Sequence, residues 1–252
     1  TVHLGAKPIF CDIEKDSWCL DPASVRKNIT NKTKAIIVVD LFGNMANWEE
    51  LEKISQEYNI PLIEDAAEAL GSTLRGVKAG KFGIGSAFSF HNTKTITTGE
   101  GGMLLLDDKC LYEKCVKLRD LGRGPSTKPY LNEVVGYKWM PFNMQAALGL
   151  AQFDRLNDLL AIKRMHFDFY RSELCGIDKN VFIEKLNDLG CPSRPFFYPL
   201  SSIPAYNQSE KYKNKNINSY SISSRGINLP GAYNLRIEDL DFICKSIKKI
   251  LK

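Results

Sequence analysis

Three consecutive stretches constrain the fold most: KAIIVVD (34–40), NWEELEKISQEYN (47–59) and IPLIEDAAEALGS (60–72). The first is a continuous apolar run rich in β-branched residues, the composition of a strand covered on both faces. The second places Trp48, Leu51, Ile54 and Tyr58 on one helical face behind Asn47 as N-cap. The third is another apolar run that gives out into acids. Strand, helix and strand in that order make a βαβ unit, which implies a parallel sheet with right-handed crossovers. The expected class is therefore α/β, a mostly parallel sheet flanked by helices.

Further elements extend the pattern. AKPIFCDI (6–13) reads as a short strand with Pro8 near its edge, and LDPASVRKNI (20–29) as a helix capped by Asp21 with Pro22 at its first position. IGSAFSF (84–90) and GGMLLLDD (101–108) read as two strands, and DKCLYEKCVKLRDLG (108–122) as a helix ended by Gly122. A long helical periodicity runs over 143–174, and around Leu160 the chain is expected to leave one domain for another. The expected domains are a large one over residues 1–158 and a small C-terminal one over 159–252, the latter with helices in DKNVFIEKLNDLG (178–190) and RIEDLDFICKSIKKIL (236–251).

Composition narrows the function classes. A chain of 252 residues with 44% hydrophobic and 25% charged residues can bury a sizeable core. The net charge of +5 is mild, and the lysine runs over 210–219 and 244–252 read as solvated surface, so nucleic acid is not an expected partner. Seven scattered cysteines without C-x-x-C spacing, and three histidines, argue against a metal site and for a reducing, cytoplasmic setting. No apolar run approaches a membrane span and no signal peptide is visible. GKFGIGS (80–86) does not follow a strand as a dinucleotide fingerprint would, and GSTLRGVK (71–78) lacks the ending of a phosphate-binding P-loop.

In open α/β sheets, ligands bind beyond the carboxyl ends of strands. Asp65, Ser89 and Lys94 all fall there. Lysine offers the amine that an aldehyde cofactor needs, a carboxylate keeps a pyridine nitrogen protonated, and a hydroxyl on a polar turn takes a phosphate. Gly99, Gly101 and Gly102 follow the lysine and let the backbone turn tightly. Together these residues suggest pyridoxal 5'-phosphate.

The segments 39–72, 87–108 and 143–156, with SRPFFYPL (193–200), resemble the pyridoxal-phosphate-dependent sugar aminotransferases of the DegT/DnrJ/EryC1/StrS type. EDAAEALGS (64–72) and NTKTITTGEGGM (92–103) are most similar to the branch that aminates C4 of a nucleotide-linked 4-keto-6-deoxy sugar. The resemblance implies the type I aminotransferase fold. It also implies Lys94 as catalytic base and covalent anchor, Asp65 at the pyridinium nitrogen, Glu68 near the ring hydroxyl and Ser89 at the phosphate. Arg194 is implied near the substrate, with a nucleotide-linked keto sugar as acceptor, glutamate (leaving as 2-oxoglutarate) as amino donor, and a homodimer as the working unit.

Departures from the family pattern are equally specific. A glycine-threonine phosphate loop and a ring-stacking aromatic, both upstream of TVHLGAKPIF in the family, are not in this chain, and part of the small domain is missing after RSELCGI (171–177). GYKWMPF (136–142) stands where the family has GYNYR, so Lys138 replaces one phosphate-facing residue and can meet a phosphate as a point charge. The alternative reading is a truncated or non-catalytic homologue that keeps the fold.

Overall fold

The structure is a computed structural model that describes residues 1–124, 131–173 and 180–250. The chain divides into two compact units, residues 30–156 and residues 1–29 together with 157–252.

The first unit carries the sheet. Strands β1 (Ile36–Val39), β2 (Leu62–Asp65), β5 (Ser86–Ser89) and β6 (Gly102–Leu105) lie in the order β1-β2-β5-β6, and a small hairpin of β3 (Thr73–Leu74) and β4 (Val77–Lys78) sits between β2 and β5 in sequence. β1, β2 and β5 run parallel, and β6 is antiparallel to β5. Between β1 and β2 comes helix α2 (Trp48–Tyr58), so the βαβ unit forms as expected. Asn47 accepts a bond from the Glu50 N–H, satisfying a donor that the helix leaves unpaired. Trp48, Leu51 and Ile54 are buried, and the Trp48 ring stacks on Phe82 at 4.9 Å. Tyr58, expected on the same face, is 41% exposed: it stands in the last turn, where Asn59 ends the helix in the left-handed region. The expectation that β1 is covered on both faces holds for one face only, because Val38 is buried and Ile37 is not. All four residues of β6 are exposed as well.

Helix α3 (Lys109–Arg119) follows β6, capped by Asp108, whose Oδ1 accepts from the Leu111 N–H at 2.6 Å. The periodicity over 143–174 divides into α4 (Asn143–Phe153) and α5 (Leu156–Glu173), separated by a turn at Asp154 and Arg155.

The second unit begins with α1 (Pro22–Asn28), which Asp21 caps through the Ala23 N–H as expected. The expected strand over 6–13 does not form; only a single bridge, Ile13 to Leu20, involves it. Side chains hold this segment instead: Phe10 packs edge-on against Tyr206 and Tyr212, and Asp12 accepts the backbone N–H groups of Asn218 and Ser219. Residues 1–29 thus belong with 157–252 rather than with the sheet unit, where the sequence placed them. The unit adds α6 (Asn180–Asp188), a two-strand pair of β7 (Arg194–Pro195) and β8 (Ile227–Asn228), α7 (Ser209–Tyr212), α8 (Ile217–Arg225) and α9 (Ile237–Ile250). α6 and α9 pack through Phe182, Leu186, Ile243 and Ile247, with Cys191 beside them. Cys175 lies outside the described residues, and the other six cysteines are free.

Candidate active site

β2 and β5 are neighbours, and their pleats are in phase: Glu64 registers with Ser86, and Asp65 with Ala87. Side chains alternate along each strand, so Asp65, Ala87 and Ser89 share one face and Glu64 and Ser86 the other. The hydrogen bond from Ser86 Oγ to Glu64 Oε2 confirms that second face. Asp65 therefore stands at the carboxyl end of β2 and Ser89 at the carboxyl end of β5, on the same side of the sheet. Asp65 Oδ1 accepts from the Ala67 N–H at 3.1 Å, and among the described residues no cation pairs with it. Ser89 Oγ accepts from the His91 N–H at 3.3 Å.

The segment after β5 is a closed loop. The Phe90 N–H donates to Gly101 O at 2.8 Å, and the Thr98 N–H donates to Phe90 O at 2.9 Å. Gly101 sits at φ +154°, and a Cβ there would meet Thr98 Oγ1 at 2.5 Å. A Cβ at Gly102 would stand 2.8 Å from Phe88 O, so the β5–β6 pairing itself needs glycine at this position. Inside the loop the Lys94 N–H donates to His91 O, making a tight turn that presents the lysine. α4 clamps the far side: the Gln152 amide accepts from the Thr97 N–H at 3.1 Å and donates to Thr97 O at 2.7 Å, and Gln145 donates to Glu100 O at 3.0 Å.

Lys94 Nζ lies 3.1 Å from Glu68 Oε1, with the two side chains only 20% and 18% exposed. Lysines are seldom this covered without a reason. The other oxygen of Glu68 accepts from the Phe42 N–H at 3.1 Å, and Phe42 is at φ 54°, a left-handed conformation unusual for a bulky residue. One carboxylate thus ties the lysine loop to the turn that follows β1.

The remaining sequence candidates are placed elsewhere. Lys138 is exposed and its Nζ pairs with Asp120 Oδ1 at 2.6 Å. Arg194 is exposed on β7 in the second compact unit. Sequence reasoning passed over Asp40 and Glu64, both fully buried beneath the strand ends. Burial pushes the Asp40 carboxyl up to about 7, and the adjacent Glu64 adds to that rise against the lowering effect of the Ala46 and Trp48 N–H groups. The sequence signal for them is the acid that ends each apolar run, in VVD and LIED, where Asp65 is the residue nearest the strand end. Among the described residues no group of His, Cys, Asp and Glu is placed to hold a metal ion, and no helix is long and apolar enough to cross a membrane.

Comparison with known proteins adds independent findings. The family described as DegT/DnrJ/EryC1/StrS aminotransferase family matches residues 1–185 and 175–248. GDP-perosamine synthase of Escherichia coli O157:H7 is 36% identical over 272 residues, spanning 98% of this chain and 74% of that protein. GDP-perosamine synthase of Vibrio cholerae is 35% identical, again over 98% of this chain and 74% of that protein. Among solved structures, Spr1654 from Streptococcus pneumoniae in its PLP-form superposes with a TM-score of 0.89 at 27% identity, covering 99% of this chain and 76% of the other. Its PMP-form superposes with a TM-score of 0.91 at 26% identity, covering 99% and 77%.

Proposed function

The chain belongs to the DegT/DnrJ/EryC1/StrS aminotransferase family, whose members similar to it are pyridoxal-phosphate-dependent sugar aminotransferases; on that premise we propose that it aminates a nucleotide-linked 4-keto-6-deoxy sugar, with glutamate as donor, in the manner of a GDP-perosamine synthase. The single observation that carries this reading to residues is the covered Lys94–Glu68 pair, at 3.1 Å, beside two strand ends that present Asp65 and Ser89 on one face.

The side chains fit pyridoxal phosphate. Asp65 is a carboxylate without a cation partner among the described residues, as a pyridinium nitrogen requires. Ser89 would offer a hydroxyl to the phosphate, and Glu68, which holds Lys94, would be available to the ring hydroxyl. When bound, the cofactor supplies an electron sink for the carbanion formed at the donor's α-carbon.

The chain's own groups do the rest. Lys94, once deprotonated to solvent, would act as the nucleophile toward the cofactor aldehyde and would take and return a proton at the carbon undergoing transamination. Glu68 orients the lysine amine and would be placed to accept a hydrogen bond from the ring hydroxyl. Asp65 would face the ring nitrogen and favour its protonated form. Arg194 and Lys138 are assigned to the anionic nucleotide part of the substrate, where cationic side chains suit phosphate. The working form in this reading is a cytoplasmic homodimer.

The experiment is a titration of the purified protein with pyridoxal phosphate, followed by absorbance. Wild type is expected to develop the band of the lysine-bound cofactor, and Lys94→Ala to show only the spectrum of the free aldehyde. Identical spectra for the two would remove Lys94 from the role. Sedimentation of the same samples reads the dimer, and a monomer at all concentrations would contradict that part.

A further inference from the structure

Beneath the candidate site lie two carboxyls that its chemistry does not use. Val38 registers with Glu64 across β1 and β2, and Asp40, two residues beyond Val38, falls on the same face of the sheet. Both acids are fully buried. Glu64 accepts from three donors, the Gly80 N–H at 2.8 Å, the Phe82 N–H at 3.0 Å and the Ser86 hydroxyl, and a carboxylate has room for one more. Asp40 has fewer. Its Oδ1 accepts from the Ala46 N–H at 2.8 Å and the Trp48 indole N–H at 3.1 Å, whereas Oδ2 is buried with no hydrogen-bond donor. A buried carboxylate oxygen without a donor is costly, and so are two adjacent carboxylates without a cation. A proton on Asp40 Oδ2, donated to Glu64, removes both costs. The acids of α2 face elsewhere, with Glu49 paired to Arg75 and Glu50 to Lys53 at the surface, so Glu64 is the charged group that acts on Asp40.

We propose that Asp40 is a positioning residue: as a neutral acid it shares its proton with Glu64, and this pair locks the ends of β1 and β2 that carry the candidate cofactor residues. The connections are short. The Asp40 N–H donates to Asp65 O at 3.1 Å, Glu64 directly precedes Asp65, and two residues after Asp40 the Phe42 N–H holds Glu68, the partner of Lys94. The positioning role rests on the reading of Asp65 and Lys94 as cofactor residues; the shared proton does not.

Two measurements on wild type, Asp40→Asn and Asp40→Ala separate these. Asparagine keeps both interactions, accepting from Ala46 and Trp48 and donating to Glu64, without a titratable proton. Asp40 binds its proton more tightly folded than unfolded, so its contribution to stability is complete in acid and is lost as pH rises toward neutrality. In thermal unfolding of the cofactor-free protein between about pH 5 and about pH 8, Asp40→Asn is therefore expected to gain on wild type as pH rises. A constant difference between the two would overturn the shared proton. In pyridoxal phosphate titrations at about pH 6, Asp40→Asn is expected to match wild-type affinity, and Asp40→Ala to bind about tenfold more weakly. Equal affinity for Asp40→Ala and wild type would overturn the positioning role. If wild type itself fails to develop the cofactor band, the functional reading and the positioning role fall together, and the pH profile still decides the proton pair.

Discussion

At the scale of single residues, Glu68 links two parts of the chain that are far apart in sequence. It holds Lys94 on one side and the Phe42 N–H on the other, 26 residues away in each case. Removing it leaves a covered ammonium without its counter-ion and a backbone N–H in a strained turn without its acceptor. Glu68→Ala is expected to cost about 1–3 kcal/mol of stability and to slow capture of the cofactor, since the amine loses its fixed position. Glu68→Gln keeps an acceptor for Phe42 and is expected to recover most of the stability. Denaturant unfolding of the three proteins, together with the rate at which the cofactor band develops, checks both parts. Equal stability in Glu68→Ala and wild type would mean that the bridge contributes nothing.

At the scale of elements, the lysine loop depends on α4. The Gln152 amide engages both backbone groups of Thr97 while also donating to Leu148 O at 2.8 Å within its own helix, and each side of that clamp closes a backbone group that the loop cannot satisfy by itself. Gln152→Ala is expected to cost about 1–3 kcal/mol and to speed hydrogen exchange of the amides at 95–98 while leaving those of β1 and β2 unchanged; uniform exchange rates would contradict the clamp. The strands and helix that build this edge were legible because local signals agreed with the tertiary outcome: apolar runs ended in acids, Asn47 capped α2 and the glycines marked the turn. Gln152 was not legible as a clamp, because it lies 55 residues from Thr97 and looks like any polar residue on an apolar helix. Lys138 shows the same limit. Its charge points to a phosphate, and nothing in the local sequence marks Asp120, 18 residues away, as the carboxylate it pairs with in the structure. The break between α4 and α5 also escaped, since the helical periodicity continues through Asp154 and Arg155 without a proline or glycine.

At the scale of the whole molecule, the division of the chain follows side-chain bonding more than sequence order. Residues 1–29 are not a strand of the sheet unit, and what places them is largely one carboxylate. Asp12 is buried, its Oδ1 accepts from the Ser219 N–H at 2.9 Å and its Oδ2 from the Asn218 N–H at 3.1 Å. These are unpaired donors in the first turn of α8, where the helix favours a negative charge. Asn218 returns a bond to Ile13 O, and Asn216 donates to Phe10 O, so the contact is reciprocal. A strand pattern in 6–13 carries no trace of this, because the partners lie more than 200 residues away. Asp12→Ala removes two charge-assisted bonds and leaves two N–H groups without acceptors, an expected loss of about 2–4 kcal/mol. Because Asp12 and its partners belong to one compact unit, the loss should be local: exchange is expected to rise in residues 9–13 and 217–225 and to stay at wild-type rates in β1 and β2. Faster exchange across the sheet as well would show that the effect of residues 1–29 is not confined to their own unit. Unchanged exchange in 217–225 would show that the helix terminus is satisfied without Asp12.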